Sequence, residues 1–236
     1  MKIGIGIPIP YLSNLPGPSR PGGGGGGTPG LAQIDNVYSM AFDGTSDFIS
    51  IDNSSEALNV DFISVTAWFY PTSSSYPLPS TNASIISSPN RGSGYHTYDL
   101  GLKNDGTIDV ILFTTTGSNF DFNFPSAGTL NLNQWNFICM TYDGANVKVT
   151  VNTTSQSIAR AGGVLSYTIN PTGDVLIGKR NGVNAEIAGN LDELAVFNYA
   201  LTGAEVLSIY NATTTGKTAD LSQLTTPPVK WYRMGD

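Results

Sequence analysis

The stretch "GNLDELAVFNYALTGAEV", residues 189–206, sets Asp192 and Glu193 side by side in an apolar run and adds Glu205 where the pattern changes. Paired carboxylates suggest glycoside hydrolysis, in which retaining enzymes hold two acids about 5–5.5 Å apart across the scissile bond. Spacing argues against it here. Side chains alternate between the faces of a strand, so adjacent Asp192 and Glu193 point opposite ways and cannot flank one bond. Glu205 reads as structural: it lies three residues after Thr202 in a capping box, with Leu201 and Val206 placed for a hydrophobic staple. A Ser-His-Asp hydrolase is disfavoured as well, because His96 is the sole histidine and no G-x-S-x-G elbow occurs. The loop "SSPNRGSGYHTYD" is the best ligand candidate, since Asn90, Arg91, Tyr95 and His96 put a stacking surface beside hydrogen-bonding groups.

These side chains must be held by strands. From Asp35 onward apolar and polar residues alternate with period two, and turn residues recur every eight to twelve positions. "TYDLGLKNDGTIDVILF" reads as strand, Asn-Asp-Gly turn, strand; "WNFICMTYDGANVKVTV" repeats the scheme around Asp143-Gly144. "FISVTAWFYP" is a longer strand ended by Pro71 and a Ser/Pro loop, and "VLIGKR" and "NLDELAVFN" supply later strands. A single helix is expected from Thr202 to about Asn211. Trp68, Tyr98 and Trp135 sit in apolar strand patterns and are expected in the core. Cys139, the one cysteine, is expected to be a buried, inert thiol.

Only 12% of the 236 residues are charged, about half the usual share, which suits an all-β sandwich better than a helical enzyme. The net charge of -7 would repel a phosphate backbone, so nucleic-acid binding is disfavoured. No stretch approaches the ~20 apolar residues of a membrane span. Residues 1–34 differ from the rest: the first thirty positions hold six of the fourteen prolines and ten of the twenty-seven glycines, and Lys2 and Arg20 are the only charges before Asp35. Such a segment cannot pack a core of its own, and is expected to be an extended arm that orders against a partner subunit in an oligomeric assembly. Its apolar run is broken by Gly and Pro, a poor secretory signal, so release within a particle or export by another route is expected.

Five motifs in order carry a family resemblance: "MAFDGTSDFISI", "ISVTAWFYP", "LNLNQWNFICMTYDGANVKVTVN", "DVLIGKRNG" and "GNLDELAVFNYALTGAEVLSIYN". Together they resemble the concanavalin A-like jelly-roll domains of the laminin G type, over about residues 37–212. The resemblance implies two antiparallel sheets stacked face to face, one of them concave, with function in rim loops and on the concave face. The expected organisation is therefore an arm at 1–34, an all-β jelly-roll sandwich with one short C-terminal helix at 35–212, and a tail at 213–236. The tail's "PPVKWYRMGD" either adds a strand to this domain or opens a further unit.

The resemblance also bears on chemistry. The E-x-D-x-x-E and E-x-D-x-E arrangements of the glucanase relatives are missing, so no enzymatic activity is expected and glycoside hydrolysis ranks third. Several relatives bind calcium, and Asp43 and Asp192 match family positions that can approach each other; no cofactor is required, but structural calcium between this pair is one expectation. The arm and the ending resemble structural proteins of marine tailed phages. The first expectation for function is thus a non-enzymatic decoration protein on a phage capsid or tail, bound to other virion subunits through its arm and aiding host-surface adhesion. The alternative is a carbohydrate-binding module of a secreted or cell-surface protein.

Overall fold

Runs of β-branched and aromatic residues broken by Gly, Asn and Asp dictate a strand-rich chain. The computed structural model describes residues 30–72, 83–88, 96–116, 119–159, 163–167, 172–182, 184–214 and 216–234. In chain order the strands are β1 (Gln33–Asp35), β2 (Met40–Asp43), β3 (Ile49–Ile51), β4 (Ile63–Pro71), β5 (Ala83–Ser87), β6 (Tyr98–Leu102), β7 (Ile108–Phe113) and β8 (Asn119–Asn123). Next come β9 (Asn136–Tyr142), β10 (Asn146–Val151), β11 (Thr154–Ala159), β12 (Val175–Ile177) and β13 (Ala188–Phe197). Helix α1 (Gly203–Ala212) precedes β14 (Lys217–Ala219) and β15 (Lys230–Tyr232).

Two antiparallel sheets form the sandwich. One has the order β11-β10-β9-β4-β13-β15, with β2 also on β13; the other runs β3-β12-β5-β6-β7-β8. Alternation sends Ile63, Val65, Ala67 and Phe69 of β4 and Tyr98, Leu100 and Leu102 of β6 into the shared interior. The opposite face of the seven-stranded sheet is also apolar: Trp68, Phe137, Cys139, Ala195 and Phe197 meet Val206 and Ile209 of α1 and Leu221 and Leu224 of the tail in a second core. Burial on both faces explains why β13 is buried along nearly its whole length and ends in the apolar run Leu194–Phe197. Trp68 belongs to this second core and stacks on Tyr210 at 5.8 Å. Trp135 is only half-buried, edge-on to Tyr70, so it is not the core anchor its sequence context suggests. Burial pushes the Cys139 thiol up to about 12, which keeps it protonated.

Strand alternation does not continue through Asp192 and Glu193. The pairing of β13 with β4 jumps from Asp192↔Trp68 to Ala195↔Thr66, a bulge with Glu193 at φ 51. Leu191 and Leu194 both face the interior. Without the bulge, Glu193 would follow Leu191 by two and point a carboxylate into the apolar core. Instead its oxygens accept from Asn36 Nδ2 at 2.9 Å, Trp231 Nε1 at 2.6 Å and Arg233 Nε at 3.5 Å. The same bulge divides the free edge of β13: Ala188–Leu191 pairs with β2 and Leu194–Val196 pairs with β15. The segment 213–236 therefore supplies β14, which pairs with β1, and β15. Of the expected arm, residues 1–29 lie outside the described residues, while 33–35 form β1.

The helix begins as its sequence dictates. Thr202 Oγ1 accepts from Glu205 N at 3.2 Å, Glu205 Oε2 accepts from Thr202 N at 2.7 Å, and Leu201 and Val206 are buried together in the second core. Thr202→Ala is expected to cost about 1 kcal/mol, measured by urea denaturation; a stability equal to wild type would mean the cap contributes nothing. Strands β5, β8 and β11 extend the expected set. β5, "ASIIS", lies where a Ser/Pro loop is expected, and is recruited between β12 and β6 because its apolar residues fill the interior.

Candidate functional site

One outward sheet face is sealed by α1 and the tail. The other, on the six-stranded sheet, carries polar side chains at outward positions. On β6, Tyr98, Leu100 and Leu102 turn inward, leaving Asp99 and Gly101 outward; on β7, Ile108, Val110 and Leu112 turn inward, leaving Asp109 and Ile111 outward. β8 turns Phe122 inward and leaves Asp121 and Asn123 exposed. Register then sets the three acids diagonally: Asp99 and Asp121 both lie opposite Ile111, while Asp109 lies opposite Gly101 and Asn123. Gly101 makes room for them. A Cβ there would sit 3.1 Å from Asp99 Oδ1 and 3.6 Å from Asp109 Cβ.

Neighbouring elements supply the donors. Ser84 of β5 directs its hydroxyl at both Asp99 oxygens, 2.8 and 2.9 Å away. The hairpin at residues 178–187 is fixed to the end of β5, where Ser87 Oγ donates to the Lys179 carbonyl and accepts from Asn181 N. This brings Arg180 Nε to 3.9 Å from Asp99 Oδ2, while His96 Nε2 stands 4.0 Å from the same oxygen. Lys179 is paired with Glu186 at 2.8 Å within the hairpin.

Burial governs the protonation of this cluster. It raises Asp99 to about 6, against the pull of Arg180 and the Ser84 hydrogen bond. Asp109 rises to about 7, through burial, a side-chain hydrogen bond with Asp121 and the charges of Asp121 and Asp99. His96 falls to about 4 through burial and the nearby Arg180 charge, so the imidazole is neutral at physiological pH. An acid whose folded pKa is raised stabilises the fold fully below its unfolded value and loses that contribution as pH rises through the folded value. His96 works in the opposite direction, but only below its ordinary value of 6.5. From about pH 6.5 to 8 the melting temperature is therefore expected to fall, and the fall should disappear in Asp109→Asn. A wild-type melting curve that is flat over that window would contradict this assignment.

Of the sequence-derived ligand residues, Asn90, Arg91 and Tyr95 lie outside the described residues, whereas His96 is 1% exposed and joins the acidic row. The proposed calcium pair is not brought together. Asp43 lies opposite Ala188 of β13, four positions from Asp192, a separation of about 13 Å along the strand. The Asp43 carboxylate is instead the anchor of its own turn, accepting from the backbone N–H of Ser46, Thr45 and Asp47 and from two hydroxyls, which hold it well below the usual carboxylate range. Asp192 is buried in register with Trp68, and its Oδ1 accepts from Glu193 N at 2.8 Å. Among the described residues no group of three or more His, Cys, Asp or Glu side chains is suited to hold a metal ion.

The acids of the outward face were the missed signal. "TYDLGL" and "TIDVILF" each carry one Asp flanked by residues that face inward, "NFDFN" carries Asp121 beside inward-facing Phe122, and three successive hairpin strands bring those positions side by side.

The sequence model of the concanavalin A-like lectin/glucanases superfamily matches residues 43–207, more than half of the chain. The chain belongs to this superfamily. Among solved structures, this concanavalin A-like chain is similar to the CBM40 domain of the Ruminococcus gnavus IT-sialidase bound to α2,3-sialyllactose: 16% identity and TM-score 0.57, covering 77% of this chain and 98% of that one. Domain 4 of a GH43 extracellular arabinanase from Geobacillus stearothermophilus, in complex with arabinotriose, matches with 19% identity and TM-score 0.53 over 77% and 80% of the two chains. A carbohydrate-binding protein from Bacteroides ovatus, so described in provisional terms, matches with 15% identity and TM-score 0.54 over 88% of this chain and 53% of that one. No curated protein matches the chain. At these identities the structural likeness is one of fold.

Proposed function

We propose that the chain is a non-catalytic carbohydrate-binding domain that receives its ligand on the outward face of the six-stranded sheet. The observation that carries this reading is the asymmetry of the sandwich: α1 and the tail cover one sheet with apolar side chains, while the outward side of the other is polar, with Asp99 and Asp109 fully buried and Asp121, Asn123 and part of Arg180 reaching the surface. Sugar hydroxyls need such clustered acceptors and donors at fixed positions. The named structural neighbours, two of them holding an oligosaccharide, support the same reading. Binding is favoured over hydrolysis because Asp121 alone of the three acids is exposed, and a hydrolase needs two carboxyl groups reaching one bond.

This reading places the chain in a secreted or cell-surface protein. Among the described residues no helix is long and apolar enough to cross a membrane. The virion-decoration reading rests on an arm of which residues 1–29 lie outside the described residues, and none of the neighbours named above is a virion protein.

A glycan array with neutral, anionic and amino-sugar oligosaccharides tests the proposal. Binding is expected, and Arg180→Ala should weaken it at least ~10-fold, the loss of one charge-assisted contact. Silence across the array from folded protein would refute it.

A further inference from the structure

The apolar cover over the seven-stranded sheet stops before the sheet does. On its outward face Trp68 and Phe137 are buried in the second core, but two residues nearer the sheet end Tyr70 and Trp135 are each half-buried and Ala41 is exposed. We propose that this end of the sheet is a second glycan site, separate from the outward face of the six-stranded sheet. It takes a neutral, extended oligosaccharide of equatorially linked pyranose units, as in a β-1,4-glucan.

Register builds the site. The pairing of β4 with β9 runs to Phe69↔Asn136, so Trp135 takes the next position, beside Tyr70, and the two rings meet at 5.7 Å and 65°. On the other side of Tyr70, β13 sets Asn190 and β2 sets Ala41. These four positions span three strand spacings, a straight row about 14 Å long. An extended glycan can touch several of them at once, whereas a coiled chain of the same sugar cannot.

Trp135 is held in place by its neighbours. Fully buried Asn136 clamps the turn before it: Oδ1 accepts from Asn131 N at 2.9 Å, and Nδ2 donates to the Asn131 and Gln134 carbonyls at 2.9 and 2.8 Å. Asn133 N then donates to the Pro71 carbonyl at 2.8 Å, which ties the turn to the end of β4 next to Tyr70. A platform fixed in this way loses little freedom when a ligand docks.

The chemistry of the row selects the ligand. Equatorial substitution leaves the two faces of a pyranose ring lined with C–H groups, which pack on aromatic rings, while its hydroxyls project sideways. Those hydroxyls meet amides: Asn133 and Gln134 are exposed beside Trp135, and Asn190 donates through Nδ2 to Ser39 Oγ at 3.2 Å, which leaves its Oδ1 to accept from a ligand hydroxyl. Every side chain of the row is neutral, so a charged sugar gains nothing here.

Calorimetry of the full chain with cellotetraose, maltotetraose and sialyllactose tests the site, and hydroxyl-radical footprinting read by mass spectrometry locates the contact. Cellotetraose should bind at least ~10-fold tighter than the other two, protect Trp135 and Tyr70 from labelling, and bind equally well when salt is added. Trp135→Ala should weaken it at least ~10-fold and Trp135→Phe much less, while Arg180→Ala, on the other sheet, should leave it unchanged. The wild-type footprint decides the matter even if Trp135→Ala fails to fold. Equal affinities for the two tetraoses, or unaltered labelling of Trp135 and Tyr70, would overturn the inference. Loss of binding in Arg180→Ala but not in Trp135→Ala would overturn it too, and would leave the carbohydrate reading of the six-stranded face standing. A dimer in ultracentrifugation that Trp135→Ala dissolves would make this end a self-association surface and overturn it as well.

Discussion

Glu193→Ala is expected to cost about 3–5 kcal/mol of stability, the range for breaking a buried ion pair by removing one partner. The carboxylate is 4% exposed and gathers donors from Asn36, Trp231 and Arg233, so its loss removes an acceptor from three polar groups at once. The backbone separates two contributions. Glu193 sits at φ 51, where glycine is unstrained and alanine is not, so Glu193→Gly should be about 1 kcal/mol less destabilising than Glu193→Ala. Urea denaturation of both variants makes the comparison. A loss below about 1 kcal/mol for the alanine variant would show that the carboxylate does not tie these segments together.

Gly189→Ala should be more damaging still. Gly189, the second residue of β13, has φ +140, and a Cβ there would lie 2.2 Å from the Tyr70 carbonyl oxygen and 3.1 Å from Pro71 Cα on β4. Both are backbone atoms of the paired strand, so no side chain can swing aside. The expected loss exceeds about 4 kcal/mol, enough to abolish soluble folded protein in a domain of ordinary stability. Gly128→Ala is the control: its φ is +96, but nothing lies within 4 Å of the added Cβ, so only backbone strain of about 1–3 kcal/mol applies. Expression yield and thermal melts distinguish the two, and a Gly189→Ala protein melting like wild type would disprove the close approach.

Local chemistry was legible wherever residues near in sequence decide the outcome. The Asp105-Gly106 and Asp143-Gly144 turns form where their glycines accept positive φ, and the Thr202–Glu205 box forms because both partners lie within one helical turn. The fold class followed from the period and the ordered motifs. The fate of Glu193 did not, because its bulge is stabilised by Asn36 and by Trp231 and Arg233, segments distant in sequence. Each Asp of the outward row looks like an ordinary strand aspartate, and only the diagonal register of three strands makes it part of a cluster. Asp43 and Asp192 were misjudged as neighbours for the same reason: register, which one sequence does not display, sets them four positions apart.

The divided edge of β13 has a bearing on how the polypeptide reaches this state. Glu193 joins a segment 157 residues upstream to one 40 residues downstream. During translation, β4 can pair first with β9, but β2 must wait for β13 to emerge, and the carboxylate is not fully enclosed until residues 231–233 have left the ribosome. Pairings of such long sequence separation form slowly, because loop closure must be accomplished before the contacts reward it. Folding is therefore expected to end at Glu193, with the closing of this edge as its final step.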